Sequence, residues 1–162
     1  MLMDEEILWD NRYSLGINIV DTQHKQLFTL VGKLYALDNT KNTKEEFKII
    51  LNELSEYMKN HFKDEEEYMQ FIKYPALEEH KQFHQDLIDK LAETIKSSSK
   101  LSILKIKIRI IAKRVLIEHI VNEDIKIKLF EISKINNSLI FDSADDKDEE
   151  YSFDITNIKP DV

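Results

Sequence analysis

The chain has 162 residues, enough for one domain with a sizeable hydrophobic core. It contains no cysteine, which excludes a disulfide framework, a thiolate metal site and a cysteine nucleophile. The net charge is −8 and no basic patch stands out, so we expect no nucleic-acid partner.

The N-terminal residues are acidic, whereas a signal peptide begins with basic residues. No apolar run approaches the roughly 18 residues that a membrane span needs. We therefore expect a soluble, cytoplasmic protein without a membrane partner. Residues 1–18 have no sustained period, and we expect Trp9 and Tyr13 in this arm to pack over one end of a helical core.

Three stretches have apolar residues at three- and four-residue steps, which predicts three helices. The first begins near Asp21 as its N-cap and ends in the loop Asp-Asn-Thr-Lys-Asn. The second opens with a capping box of Thr43 and Glu46 and ends at Tyr74. The third begins with Pro75 as its first residue and ends in a run of three serines.

The fourth segment, from Leu101 to about Ile135, gives two conflicting signals. Residues 106–110 alternate between isoleucine and a basic residue, a pattern typical of a strand. A helical stripe passes through the same stretch, formed by Leu104, Ile108, Ile111, Val115 and His119. A single strand would also have no partner, so we predict a helix.

With two glycines and two prolines, the chain permits long helices joined by short loops. We predict an all-α fold: an antiparallel up-down-up-down four-helix bundle over residues 1–137, including the N-terminal arm. Residues 138–162 are predicted to form a loose or partly ordered acidic tail, since 142–162 hold eight acidic residues and two lysines. The tail is interpreted as a solubilising end, with a docking site for a protein partner as the alternative.

The five histidines all fall on inward faces of the predicted helices: His24, His61, His80, His84 and His119. His61 and Glu65 are four residues apart, as are His80 and His84, so each pair shares one helix face. Antiparallel helices would pool these side chains into a metal site. Imidazole and carboxylate without thiolate suit iron, manganese or zinc, and the number of donors implies two ions.

The motifs resemble those of the bacterial hemerythrins over about residues 7–130. The resemblance rests on Trp9 and Tyr13-Ser-Leu-Gly-Ile, Val20-Asp-Thr-Gln-His24, His61-Phe62-Lys-Asp-Glu65-Glu66, Tyr74-Pro75 with His80 and His84, and His119-Ile120 with Asp124. It implies reversible dioxygen binding at a non-haem di-iron centre, for oxygen storage, delivery or scavenging. The cofactor implied is two iron ions with a bridging oxo or hydroxo group.

The resemblance also assigns the ligands. One iron would be held by His80, His84 and His119, and the other by His24 and His61. The two bridging carboxylates would be Glu65 and Asp124. Counting these donors leaves one open coordination position on the two-histidine iron, where a small molecule would bind.

Asp124 is not the residue that helical spacing selects. It follows His119 by five residues, about 140° round an ideal α-helix, whereas Glu123 follows by four and is better aligned. The resemblance selects Asp124, and either a local π-type turn or an approach to the metals from the two sides of the helix would reconcile the two.

Phe62, Leu116 and Ile120 match the pocket-lining positions of the family, although plain core packing explains the same residues. The chain departs from the family at Val115, where a tryptophan is common, and at Ile127, where a tyrosine is common.

No catalytic residue is predicted, and we expect a carrier and not an enzyme. The alternatives are a di-iron oxidase, a peroxidase, a nitric-oxide-handling enzyme or an oxygen or redox sensor module. The ferritin-like oxidases use Glu-x-x-His motifs, and this chain contains none. Weak peroxidase or nitric oxide chemistry stays open.

Overall fold

The computed structural model of the chain describes residues 8–37, 43–98 and 100–142, and all regular structure within these ranges is helical. The predicted all-α class is confirmed for this part of the chain. The elements are a 3-10 turn (Asn11–Tyr13), α1 (Asn18–Ala36), α2 (Thr43–Phe71), α3 (Leu77–Ser97), α4 (Leu101–Lys113), a π-helical segment (Arg114–Asp124) and α5 (Ile125–Asp142). None of these helices combines the length and the apolar character that crossing a membrane requires.

The helices pack as a bundle. Helix α1 lies against α2, α4 and the π-helical segment, while α3 lies against both α2 and α4. With α4 and the π-helical segment taken as one continuous stretch, each of the four helical stretches has two neighbours, which closes a ring around a shared interior. Trp9 and Tyr13 pack against the core of this ring from the N-terminal arm, as the sequence predicted.

Two clusters of apolar side chains fill the interior. We call them the upper and the lower cluster. The upper cluster includes Leu27, Met58, Leu91, Ile108 and Val115. The lower cluster consists of Leu15, Ile17, Val20, Met69, Tyr74 and Ile127. In α1, α2 and the fourth helical stretch, the predicted metal ligands lie in sequence between a residue of one cluster and a residue of the other. The candidate site is therefore a polar layer between two apolar layers.

The chain divides by its contacts into two units, Met1–Glu131 and Ile132–Val162. Helix α5 continues to Asp142, five residues beyond the predicted domain end at 137. Residues 143–162, which carry most of the predicted acidic tail, lie outside the described residues. The domain boundary and the state of the tail stay predictions.

The predicted N-cap of the first helix is wrong. Helix α1 begins at Asn18, with Ile17 as its N-cap, so Asp21 lies in the first turn. The Asp21 carboxylate accepts hydrogen bonds from the Ser14 hydroxyl at 2.6 Å and from the Leu15 amide at 2.7 Å. The side chain therefore fastens the N-terminal arm to α1 instead of capping the helix.

The corner between α2 and α3 also differs from the prediction. Helix α2 begins at Thr43 as predicted but ends at Phe71, and α3 begins at Leu77, two residues after Pro75. Lys73 takes a left-handed conformation with φ of 57°, and the Tyr74 amide donates to the Met69 carbonyl at 2.8 Å. This arrangement ends α2 in the manner of a Schellman motif, and the residues up to Ala76 connect it to α3.

Residues 106–110 are helical, so the strand-like alternation was misleading and the helix prediction is confirmed. Ile108 is fully buried, whereas Ile106 and Ile110 are 57% and 55% exposed. Arg109, between Ile108 and Ile110, reaches the end of α1. Its guanidinium donates there to the carbonyls of Leu34, Tyr35 and Leu37 at 3.1–3.4 Å. These are carbonyls that the last turn of a helix leaves without intrahelical partners.

We expect Arg109→Met to lower the free energy of unfolding by about 2 kcal/mol, because charged hydrogen bonds to helix-end carbonyls are lost. Urea denaturation of the metal-free protein measures this. The control is Arg114→Met, whose side chain is half exposed and lies 3.8 Å from Glu118. The control should stay within about 0.5 kcal/mol of the wild type. If Arg109→Met and Arg114→Met lowered the free energy of unfolding equally, the capping role of Arg109 would be contradicted.

Candidate metal centre

Four helical stretches bring the seven predicted ligands into one layer. Helix α1 contributes one, α2 and α3 contribute two each, and the π-helical segment contributes two. In chain order they are His24, His61, Glu65, His80, His84, His119 and Asp124. None is more than 4% exposed. Polar side chains buried to this degree require partners, because burial removes their hydrogen bonds to water.

The π-helical segment explains how Asp124 joins His119. In π-winding the backbone hydrogen bond joins residues five apart, so residues at i and i+5 come to one side of the helix. Asp124 is fully buried and its Oδ1 lies 3.0 Å from His119 Nε2. Glu123 points outward and pairs with Lys126 at 2.7 Å. The predicted π-type turn is confirmed, and the choice of Asp124 over Glu123 agrees with the geometry.

Three imidazoles converge on Glu65. Glu65 Oε2 lies 3.1 Å from His84 Nε2, 3.3 Å from His80 Nε2 and 3.9 Å from His119 Nε2. The Nε2 atoms of His84 and His119 are 2.9 Å apart. These four residues form a group whose ligand atoms could share one metal ion, and we call it the three-imidazole position.

A second group overlaps the first. The Nε2 atoms of His24 and His61 are 3.2 Å apart, and Asp124 Oδ2 lies 3.2 Å from His24 Nε2. Glu65 belongs to this group too, so its carboxylate is common to both. We call His24, His61, Glu65 and Asp124 the two-imidazole position. Asp124 Oδ1 also lies 3.3 Å from His80 Nε2, so both carboxylates stand between the two positions.

The donor atoms fit metal ions better than they fit each other. Glu65 Oε1 and both Asp124 carboxylate oxygens are buried without a hydrogen-bond partner. In each position, two imidazole Nε2 atoms face one another at about hydrogen-bond distance, and a single proton is the most that such a pair can share. A divalent cation between them would accept both lone pairs.

Comparison with known proteins agrees with this geometry. The family model described as the hemerythrin HHE cation binding domain matches residues 15–128. The chain belongs to the hemerythrin family. A bacteriohemerythrin of Campylobacter jejuni is 33% identical over 115 residues, which cover 70% of this chain and 86% of the relative. A myohemerythrin of Theromyzon tessulatum is 31% identical over 125 residues, covering 76% and 92%. A hemerythrin of Themiste dyscrita is 36% identical over 83 residues, covering 51% and 66%. No solved structure matches significantly.

Burial and charge act differently on the imidazoles of this hemerythrin-family site. Burial lowers the pKa of His61 to about 4. Burial opposes the charged form of His80 and His119 too, but the carboxylates of Asp124 and Glu65 outweigh it and raise their pKa values to about 9 and about 10. In the metal-free protein at neutral pH, these two imidazolium ions balance the two buried carboxylates.

The carboxylates respond in the opposite direction. Burial alone would raise the pKa of Glu65, but the surrounding imidazoles of His119, His80 and His84, with Nε2 atoms 3.1–3.9 Å from its Oε2, hold it well below its usual range. Burial and the nearby Glu65 would raise the pKa of Asp124, but the positive charge of His119, 3.0 Å away, outweighs them and lowers it. Both groups are therefore anionic and ready to bind a cation.

Sequence reasoning missed two polar residues that contact the outer nitrogens of two ligands, and a third that binds one of these two. Glu66 Oε1 lies 2.8 Å from His84 Nδ1, and Gln23 Oε1 lies 3.1 Å from the Nδ1 of His61. Gln23 Nε2 in turn donates to Asp64 Oδ2 at 2.5 Å. The signal available in the sequence was position. Gln23 directly precedes the ligand His24, and Asp64 and Glu66 stand on either side of the ligand Glu65.

Of the predicted pocket residues, Phe62 lies against a ligand and Ile120 lies in the apolar core. Phe62 is 2% exposed and stacks on the His84 ring with centroids 3.9 Å apart. Ile120 is 1% exposed and belongs to the upper cluster. The side chain of Leu116 lies outside the described residues. Val115 borders an apolar cavity of about 10 Å³ within the upper cluster, and Ile127 is fully buried in the lower one.

We expect Asp124→Asn to lower the bound metal content sharply, because it removes a buried anionic donor shared by both positions. Glu123→Gln is the matched control, since it makes the same chemical change one residue away on an outward-facing side chain. Elemental analysis of iron-loaded protein measures the difference. If Glu123→Gln empties the site and Asp124→Asn does not, the ligand assignment is wrong at this residue.

Metal binding should release protons at pH 7, one each from His80 and His119, because both are protonated below pKa values of about 9 and about 10. The apparent affinity should therefore rise with pH until both groups have titrated. His61 has a pKa of about 4, so it is already neutral and contributes no proton. Zinc titration calorimetry in buffers of different ionisation enthalpy counts the released protons, and a count of zero at pH 7 would contradict this account.

Proposed function

We propose that this chain binds dioxygen reversibly at a pair of iron ions, for oxygen storage, delivery or scavenging. The observation that carries the proposal is the pair of buried donor groups that share Glu65. Membership of the hemerythrin family supports iron as the metal and dioxygen as the ligand.

The bundle is proposed to be antiparallel, up-down-up-down, and the order of the clusters supports this. Upper-cluster residues follow the ligand His24 in α1, whereas in α2 all of them except Phe62 precede the ligand His61. In α3 they follow His84, and in the fourth helical stretch all of them except Ile120 precede His119. This alternation is what four helices with alternating directions would give when they cross one common layer.

In the proposed site, His80, His84 and His119 would hold one iron, and His24 and His61 would hold the other. Glu65 and Asp124 would be shared by the two irons, and a solvent-derived oxo or hydroxo group would complete the cofactor. When bound, the iron pair would supply electrons to dioxygen and take them back on release. With both carboxylates shared between the ions, the two-imidazole position would have one imidazole fewer, which would leave a coordination place for a small ligand there.

The remaining side chains would keep water out of the layer. The upper and lower clusters cover it on two sides, and Phe62 packs directly on His84. A dry site favours reversible binding, because a buried pocket resists a change in net charge and excludes water that would drive irreversible oxidation.

The donor set favours a carrier over an oxygenase. Five imidazoles and two carboxylates give the metals fewer anionic donors than a carboxylate-rich oxidase site provides. Anionic donors stabilise the high oxidation states that oxygenase chemistry requires, and neutral imidazoles do so less.

Exposing the reduced, iron-loaded protein to air should produce a new visible absorption band that disappears on degassing. The reason is that both the binding and the release of dioxygen change the oxidation state of the iron. Zinc-loaded protein is the control and should give no band, because zinc has no redox chemistry. A spectrum that does not change in air, or a change that degassing fails to reverse, would contradict the proposal.

Val115→Trp should slow the irreversible oxidation of the reduced protein in air. Val115 borders the apolar cavity within the upper cluster and precedes the ligand His119 by four residues, so a larger side chain would close a path for water to the layer. The rate is followed by absorbance, with circular dichroism to confirm folding. Val115→Ile adds one methylene group and should give a smaller effect in the same direction. An unchanged rate in Val115→Trp would show that this side chain does not limit water access.

A further inference from the structure

Two of the candidate ligands are supported from outside the metal layer, and the two supports differ in charge. His84 Nδ1 lies 2.8 Å from the carboxylate oxygen Oε1 of Glu66. His61 Nδ1 lies 3.1 Å from the amide oxygen Oε1 of Gln23. An anionic acceptor therefore faces one imidazole and a neutral acceptor faces the other.

Asp64 settles the orientation of the Gln23 amide. The Gln23 Nε2 group donates to Asp64 Oδ2 at 2.5 Å, so the amide oxygen must face His61. That oxygen can only accept, so His61 carries its proton on Nδ1 and presents the Nε2 lone pair to the metal layer. Asp64 thus controls the tautomer of His61 through the amide, without touching the ring.

Glu66 likewise accepts the Nδ1 proton of His84, and because it is a carboxylate it affects the ring more strongly than an amide does. A carboxylate that accepts from Nδ1–H increases the electron-donating power of the imidazole at Nε2. A neutral amide does this less, because hydrogen bonds to ionised acceptors are stronger. His84 belongs to the three-imidazole position and His61 to the two-imidazole position. The outer supports therefore strengthen donation at the position that already has more imidazoles.

We propose that Glu66 and the Gln23–Asp64 pair widen the difference in reduction potential between the two metal positions. On reduction of the oxidised protein, the two-imidazole position takes the first electron and the three-imidazole position takes the second. Glu66, Gln23 and Asp64 are positioning residues, since they act through His84 and His61. This inference rests on the iron pair of the proposed function.

The test exchanges the charges of the two supports. Glu66→Gln replaces the carboxylate at His84 with an amide. The double variant Gln23→Glu/Asp64→Asn places a carboxylate at His61 and leaves an amide to donate to it, at unchanged net charge. The control is Glu67→Gln, because Glu67 is 65% exposed and lies 3.7 Å from Lys63 on the outer face of α2.

The first readout is the pair of one-electron reduction potentials of the iron-loaded protein, with an electrode and a small mediator as the electron source. Glu66→Gln should raise the lower potential, and the double variant should lower the higher one. Each shift should correspond to about a tenfold change in the preference for Fe(III) over Fe(II), or about 59 mV for one electron. The difference between the two reduction potentials therefore becomes smaller in both variants, because the lower potential rises in one and the higher potential falls in the other. Glu67→Gln should leave this difference unchanged.

The second readout needs neither iron nor oxygen. In zinc titration calorimetry, Glu66→Gln should weaken one of two binding steps by about 10- to 100-fold and leave the other unchanged. Circular dichroism confirms that each variant is folded.

The inference is overturned if the difference between the two reduction potentials is the same in Glu66→Gln and in Gln23→Glu/Asp64→Asn as in the wild type. It is also overturned if the wild-type protein takes both electrons in a single step. A wild-type protein that binds fewer than two metal ions overturns the proposed function as well. A wild-type protein that binds two ions and oxygenates reversibly, with swap variants that do not shift the potentials, overturns this inference alone.

Discussion

Five imidazoles and two carboxylates share one buried layer between two apolar clusters, and the free energy of burying them constrains the rest of the structure. Ionised groups lose their hydration there and need a partner of opposite charge. In the metal-free protein the partners are other members of the layer: His80 and His119 carry protons that balance Glu65 and Asp124. Metal ions would replace those protons and satisfy the remaining lone pairs, so metal binding and protonation are linked.

The same requirement explains the winding of the fourth helical stretch. An α-helix would direct residues 119 and 124 to different sides, yet both must reach the layer. The backbone solves this by changing to π-winding over Arg114–Asp124, a conformation that is rare and often found at functional sites. The irregularity lies where the ligands are needed, and regular α-helix continues on each side of it.

Much of this architecture could be predicted from sequence, because the pattern is local. Repeats at three and four residues located the helices, and pairs such as His80 and His84 identified a shared face. Asp21 was misinterpreted, because its carboxylate binds a preceding loop and nothing in the local pattern distinguishes this from capping. Pro75 suits the first turn of a helix, but in the structure it belongs to the connection between α2 and α3. Ala76 follows it as the N-cap of α3, which begins at Leu77.

Contacts between distant segments could not be predicted. Arg109 binds carbonyls more than 70 residues earlier in the chain. Gln23 meets Asp64 and His61 only because α1 and α2 pack side by side. Such residues belong to no periodic stripe, and any polar surface residue would give the same sequence signal. Their roles follow from the packing of the bundle, which single-sequence patterns do not encode.

The central claim is that the polar layer holds two metal ions at two overlapping positions. Anomalous diffraction from crystals of the iron-loaded protein, recorded at the iron absorption edge, tests it most directly. The account predicts two peaks, one beside His80, His84 and His119 and the other beside His24 and His61, with the carboxylates of Glu65 and Asp124 between them. A single peak, or iron bound outside this layer, would contradict it.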